Sequence, residues 1–280
     1  MNITHSSRSA RRRRAAGLTL LELVVVLLVL AALAGILIPI IPNMVQRSHS
    51  STTAANISET TRAVQLYEAT NMRHPDGWDS LIDEDGNTLR DDRFTIVAMT
   101  DGDRGARIRE ALNAIGISTS WEIAGQLEGN GRPDDGVSRW STSTGNGIRV
   151  NTFDAYSGVE YDLTNDGSVV VLGPSDNEVN RLNLPVPTSI DDTSNSGIQD
   201  YVVLGIGARL TAVGDTMVSA PVHFPGVGDL DPTQAYARAV AVYAIPEQGP
   251  ARLAATSAVH NDHLDGLDDL MQEFYETVNR

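Results

Sequence analysis

An apolar run near the N-terminus constrains this chain more than any other feature. The run extends from Gly17 to Ile41, and no charged residue occurs between Leu23 and Gln46. An apolar stretch of that length predicts one helix that crosses a bilayer. Four consecutive arginines, Arg11–Arg14, precede it, and a basic flank of this kind keeps the N-terminus in the cytoplasm. We therefore expect a single-pass inner-membrane protein whose C-terminal part is periplasmic.

One carboxylate lies inside the apolar run. A charge such as that of Glu22 is expensive in lipid and normally marks a function that involves a partner. An ordinary membrane anchor, or a signal peptide cleaved after the small residues Ala32–Ala34, would leave this glutamate unexplained. A twin-arginine signal at Arg13 and Arg14 is a third interpretation, but the residues that usually follow such a signal are missing.

The sequence Gly-Leu-Thr-Leu-Leu-Glu-Leu at residues 17–23 resembles the cleavage and methylation segment of type IV pilins and of type II secretion pseudopilins. The resemblance implies that a prepilin peptidase cleaves after Gly17 and that Leu18 becomes the N-methylated terminus. It also implies that Glu22 pairs with an N-terminal amine during assembly. The chain departs from many pilins in having no cysteine, and therefore no disulfide.

The resemblance and the hydropathy pattern together divide the chain into four parts. Residues 1–17 are a basic leader, 18–41 a transmembrane and polymerisation helix, and 42–72 its amphipathic continuation. Residues 73–280 form an extracytoplasmic globular domain. The expected fold is α+β, in which a long N-terminal helix, embedded in the membrane over its first half, packs on a small antiparallel sheet. An enlarged irregular C-terminal region ends in a further helix.

Periodicity supports the helical parts of this scheme. Ile57, Val64 and Tyr67 share one helical face, and Pro75 and Gly77 end the helix. A short helix is expected from about residue 104 to 115. The last helix has an apolar stripe, which we expect to pack on the sheet and which consists of Leu267, Leu270, Met271, Phe274 and Val278.

The β pattern is strongest in four places. Val159–Leu163 and Ser168–Leu172 flank an Asn-Asp-Gly turn and predict a hairpin, which resembles the sheet of major pseudopilins. Two apolar runs, 201–206 and 239–245, predict buried strands, and 94–99 predicts another. We expect Trp121, which lies outside these segments, to pack against the core.

Charge restricts the partners. Removal of the leader leaves 16 basic residues against 36 acidic ones, a net charge of −20. Nucleic-acid binding needs clustered cations, so we expect no nucleic-acid partner. The acidic turns admit Ca²⁺ at Asp176, in a segment that resembles the Leu-Gly-x-x-Asp calcium loop of major pseudopilins, although a solvated turn aspartate explains the same residue.

Motifs for catalysis are weak. His260, Asp262 and His263 are close in sequence, but no third ligand motif accompanies them. Neither a nucleophile elbow nor a Gly-rich phosphate loop is present. We expect no enzymatic activity and no required cofactor.

These features lead to one expected function and two alternatives. The resemblance implies a structural subunit of a periplasmic pseudopilus for type II protein secretion. Its partners would be other pilin-like subunits, a prepilin peptidase, the inner-membrane secretion platform and, before assembly, membrane lipid. A type IV pilus or DNA-uptake pilin is one alternative, and a membrane-anchored extracytoplasmic binding domain that never polymerises is the other.

Overall fold

The structure is a computed structural model, and the chain forms two compact units, Met1–Val45 and Gln46–Arg280. The second of these is called the globular unit. The described residues are 20–37, 41–83, 86–88, 93–123, 126–127, 140–141, 156–173, 177–222, 238–260 and 263–278.

Five helices lie within these residues. They are α1 (Leu20–Leu37), α2 (Ile41–Asn71), α3 (Gly102–Asn113), α4 (Asn177–Arg181) and α5 (Leu267–Val278).

Eleven strands accompany them, nine of which form one sheet and two of which, β4 and β5, pair separately. They are β1 (Trp78–Asp79), β2 (Phe94–Ala98), β3 (Thr119–Ile123), β4 (Gln126–Leu127), β5 (Trp140–Ser141), β6 (Tyr156–Asp162), β7 (Ser168–Leu172), β8 (Ile198–Gly205), β9 (Ala239–Pro246), β10 (Arg252–His260) and β11 (His263–Asp265).

The main sheet is mixed and forks at β8. Its longest path runs β11–β10–β9–β8–β1–β3–β6, and β7 also pairs with β8 and with β2. The β1–β3 pair is parallel, whereas the other pairs are antiparallel. Strands β1, β3 and β6 therefore lie on one branch of the sheet, and β7 and β2 lie on the other.

The predicted fold is wrong. We expected one long N-terminal helix on a small antiparallel sheet, but the globular unit is built on a nine-stranded mixed sheet, and this strand-rich arrangement is unlike a pilin fold. The apolar run is assigned to α1, which is described as far as Leu37, and α2 begins at Ile41. Residues 38–40, between these two helices, lie outside the described residues.

The membrane prediction is also wrong. Among the described residues, no helix combines the length and the apolar character that crossing a bilayer requires. The finding contradicts the expected transmembrane helix and the single-pass placement in the inner membrane with a periplasmic C-terminal domain.

Both faces of the sheet are buried. In β8 and β9, successive side chains point to opposite faces, so Val202 and Tyr243 belong to one core cluster and Val203 and Val242 to the other. The face that carries Val202 and Tyr243, called the first face, is covered by α2 and α3. The opposite face is covered by α4 and the segment that follows it. Burial on both faces explains why the predicted strands 201–206 and 239–245 are continuous apolar runs, and both predictions are confirmed.

Both strands of the predicted hairpin form, but they do not pair with each other. Strands β6 and β7 form close to the expected segments, but β6 pairs with β3, whereas β7 pairs with β2 and β8. The turn between them is held by other parts of the chain, since Leu163 donates its N–H to the Ser118 carbonyl and Met99 donates its N–H to the Gly167 carbonyl. The two strands therefore diverge on the two branches of the sheet.

The predicted helices of the globular unit form, but the expected packing of the whole α5 stripe is not confirmed, since Met271 is 39% exposed and the side chains of Phe274 and Val278 lie outside those described. Ile57, Val64 and Tyr67 are buried along one face of α2, which ends at Asn71 as expected. The stripe of α5 is buried at Leu270, which packs on α2 and β10, while Leu267 remains 40% exposed.

Candidate functional site

Helix α1 is the first candidate, because its apolar side chains are exposed. Every described side chain from Leu20 to Gly35 is exposed, including Leu28 at 68% and Val24 at 48%. Glu22 lies in the first turn, where the positive end of the helix dipole favours a carboxylate. The predicted cleavage residues, Gly17 and Leu18, lie outside the described residues.

The calcium prediction is not resolved by geometry. Asp176 lies outside the described residues. Asp162 accepts hydrogen bonds from the N–H and the hydroxyl of Thr164, which lower the pKa of its carboxyl group. Asp83 is buried and accepts the N–H of Asn87 at 2.7 Å. Within the described parts of the chain, no three histidine or acidic residues lie close enough together to hold a metal ion, and calcium binding stays a prediction.

The histidine motif near the C-terminus is divided between two strands. His260 and His263 are register partners where β10 pairs with β11, and Asp262 lies outside the described residues. The two histidines therefore face each other across an antiparallel strand pair.

A second candidate is a surface cluster formed by Trp121, Tyr156 and Arg209. The guanidinium carbon of Arg209 lies 3.9 Å from the centroid of the Trp121 ring and 4.6 Å from that of Tyr156. Arg209 is exposed and the two aromatic side chains are half-buried. Trp121 was expected in the core, but its ring instead supports a cation at the surface. The three residues are referred to below as the aromatic–arginine cluster.

The buried carboxylate of Asp79 fixes the position of Tyr156 in this cluster. Tyr156 donates its hydroxyl hydrogen to Oδ1 of Asp79 at 2.8 Å, and the N–H of Ala208 donates to the Tyr156 oxygen at 3.0 Å. Asp79 is only 2% exposed. Burial, and after it the neighbouring Asp79 charge, hold the pKa of Tyr156 well above its ordinary value of 10.0. Tyr156 is therefore neutral at physiological pH and acts as a hydrogen-bond donor.

Close backbone packing completes the arrangement. A Cβ atom on Gly207 would lie 1.8 Å from Oδ1 of Asp79 and 2.4 Å from the Tyr156 hydroxyl. A Cβ atom on Gly77 would lie 2.6 Å from the carbonyl oxygen of Arg209. Both positions therefore exclude any side chain, which fixes the loop after β8 against β1, β3 and β6.

Another acid ties the end of α2 to the same branch of the sheet. The carboxylate of Asp76 accepts the N–H and hydroxyl hydrogens of both Ser118 and Thr119. Its backbone N–H donates to the hydroxyl of Thr211, and the N–H of Thr211 donates to its carbonyl oxygen. One aspartate thus connects the end of α2, the start of β3 and the loop that carries Arg209.

An open cleft of about 670 Å³ lies between α2 and the segment 208–222. Asn56, Glu59 and Thr60 line it from α2, and Thr216 faces them from the opposite wall. Arg238, which is 1% exposed, contributes to the lining. The rest of the lining is largely apolar, with side chains such as Val213 and Met217.

His74 is buried at 5% exposure and contacts two polar side chains. Its Nδ1 lies 3.2 Å from the Tyr243 hydroxyl and its Nε2 lies 3.4 Å from the Glu68 carboxylate. Burial lowers the pKa of His74 below 6.5, although the charge of Glu68 opposes the shift. The ring is therefore neutral at pH 7 and serves packing beneath the first face of the sheet.

Sequence reasoning missed Arg209, Tyr156 and Gly207. A usable signal was present in the composition, because Trp, Tyr and Arg are the residues enriched at binding hot spots. They are far apart in the chain, however, and only the sheet brings them together. Similarity gives no further guidance: no protein-family model matches the chain, and neither the curated proteins nor the solved structures contain a match to it.

Proposed function

We propose that this chain is a pilin-like structural subunit that is cleaved by a prepilin peptidase and assembled through α1 into a pseudopilus for type II protein secretion. Its partners are other pilin-like subunits, the peptidase and the secretion platform. The observation that carries the proposal is the exposure of every described side chain from Leu20 to Gly35 in a helix whose only ionisable residue is Glu22.

The exposed apolar surface of α1 favours association with an apolar partner. Burying a Leu or Val side chain stabilises by about 1.5–3 kcal/mol, so a helix that exposes such side chains on all sides gains greatly from an apolar partner. A second copy of α1 supplies a partner of matching length and character. Exposed patches of this kind mark association surfaces.

Glu22 sets the geometry of that association. A carboxylate among packed apolar helices needs a positive partner, because an unpaired buried charge is strongly destabilising. Cleavage after Gly17 would create an amine at Leu18, four residues before Glu22. The amine of one copy is then the natural partner for the carboxylate of the next.

The proposal rests on the N-terminal segment and not on the globular unit. Function is carried by particular segments and sites, and the same activity occurs on unrelated folds. A globular unit that differs from pilins is therefore compatible with an assembly helix that resembles theirs.

The test is co-expression of the full chain with a prepilin peptidase. Intact-mass analysis should find a methylated Leu18 terminus, and cross-linking should trap a ladder of oligomers. Glu22→Ala should still be cleaved but should give at least tenfold fewer cross-linked oligomers. Glu110→Ala removes an exposed acid from α3 and should assemble normally.

Two results would contradict the proposal. A mature chain beginning at Gly35 would indicate ordinary signal-peptidase cleavage after Ala34. Oligomer yields of Glu22→Ala equal to those of Glu110→Ala would remove the pairing role of Glu22.

A further inference from the structure

The aromatic–arginine cluster differs from the other arginine contacts of the globular unit. Several arginines are used internally, as in the pairs Arg93–Glu178, Arg104–Asp200 and Arg181–Asp265. Arg209 is exposed, and within the part of the chain that the structure describes its guanidinium has no carboxylate partner.

The guanidinium of Arg209 is nevertheless held in place. It stacks on two rings, at 3.9 Å from the Trp121 centroid and 4.6 Å from the Tyr156 centroid. Stacking leaves the N–H groups at the edge of the guanidinium available, and their planar fork matches a carboxylate in a bidentate pair. Because the side chain is already ordered, little rotamer freedom remains to be lost on binding.

The backbone beneath Arg209 is equally fixed. Gly77 allows the Arg209 carbonyl to approach closely, and the Tyr156 hydroxyl accepts the N–H of Ala208. Asp79 fixes Tyr156 in turn. A surface arginine supported in this way is pre-organised for binding.

The composition of the cluster is that of an interface anchor. Trp, Tyr and Arg are the residue types most enriched at the centre of protein–protein interfaces. A stacked arginine at such a centre recognises an anion, and in a protein partner that anion is a carboxylate.

Charge identifies the partner. The globular unit Gln46–Arg280 has 16 basic and 35 acidic residues, a net charge of −19, so two such units that approach each other repel unless cations of one meet acids of the other. We propose that the aromatic–arginine cluster is a contact between copies of this chain in the assembled filament, with Arg209 binding a carboxylate of the neighbouring copy. The inference rests on the proposed function, since it requires the copies to be brought together through α1.

The experiment uses the full chain and compares Arg209→Gln with Arg62→Gln. Arg62 is exposed on α2, so both variants lose one surface cation. Arg209→Gln should lower the yield of cross-linked oligomers at least tenfold, whereas Arg62→Gln should stay within twofold of the wild type. Arg209→Lys keeps the charge but loses the planar fork, and should give an intermediate yield. Raising the salt concentration should weaken wild-type assembly more than that of Arg209→Gln.

Each outcome decides one question. Wild-type yields for Arg209→Gln, beside an assembly defect in Glu22→Ala, would overturn this inference and leave the proposed function standing. Equal losses in Arg209→Gln and Arg62→Gln would reduce the effect to net charge and would also overturn it. Absence of assembly in the wild type would overturn both. Urea unfolding curves of each variant should match the wild type, which separates a lost contact from a lost fold.

Discussion

Gly207→Ala should destabilise the globular unit severely. The added methyl group would lie 1.8 Å from Oδ1 of Asp79 and 2.4 Å from the hydroxyl of Tyr156, far inside van der Waals contact. Both atoms are held by a 2.8 Å hydrogen bond to each other, and Asp79 is buried. Neither atom can move away from the added methyl group without breaking that hydrogen bond, so the clash cannot be relieved at a small cost in free energy.

The magnitude follows from two terms. Overpacking by one methyl group typically costs about 1–3 kcal/mol. Breaking the hydrogen bond from Tyr156 to the buried carboxylate of Asp79 adds roughly 1.5–3 kcal/mol, the range for a bond to a charged group. The expected loss in the free energy of unfolding is therefore about 2.5–6 kcal/mol, a large part of the stability of a typical domain.

Urea unfolding followed by tryptophan fluorescence measures this loss directly. Gly266→Ala is the matched control, because a Cβ atom at Gly266 would meet its nearest neighbours at 3.7 Å, which is ordinary contact. That variant should change stability by no more than about 1 kcal/mol, the scale of a helix-capping effect before α5. If Gly207→Ala unfolds within 1 kcal/mol of the wild type, the close packing under the aromatic–arginine cluster is wrong.

Two further predictions concern stability. Because burial lowers the pKa of His74 below 6.5, the unfolded chain binds a proton more readily than the folded one, and stability should fall as the pH drops from 7 towards 5. His74→Gln should flatten that dependence in urea titrations at several pH values, and an unchanged slope would refute the assignment. Asp76→Ala removes the acceptor for the N–H and hydroxyl groups of Ser118 and Thr119 and should lower the free energy of unfolding by roughly 3–5 kcal/mol. Asp76→Asn keeps most of that geometry and should lose less; equal losses would contradict the hydrogen-bond argument.

Local elements were largely predictable from the sequence. The α2 face of Ile57, Val64 and Tyr67 and the strands β2, β8 and β9 follow from periodicity and apolar runs, because those patterns reflect burial in the final fold. Helix α3 ends at Asn113, and Gly116 in the turn after it has φ of +88°, a conformation that glycine adopts readily. Strand β10 was missed because its run from Arg252 to His260 alternates weakly between small and polar residues.

The pairing of the strands was not predictable in the same way. An Asn-Asp-Gly turn between two strands favours a hairpin locally, yet β6 and β7 separate onto the two branches of the sheet. The bonds that separate them involve Ser118 and Met99, which are tens of residues earlier in the chain. Such long-range contacts leave no periodic trace in the sequence. The aromatic–arginine cluster depends on the same topology, since its three residues come from β3, β6 and the loop after β8.

The apolar runs show why hydropathy misjudged the N-terminal segment. The runs 201–206 and 239–245, which form most of β8 and β9, are also continuously apolar, and they owe that character to burial on both faces of a sheet. A continuous apolar run therefore indicates that its side chains are removed from water, but not what covers them. The side chains of β8 and β9 are covered by the rest of the globular unit. The side chains of α1 are exposed from Leu20 to Gly35, and under the proposed function copies of α1 would cover them on assembly.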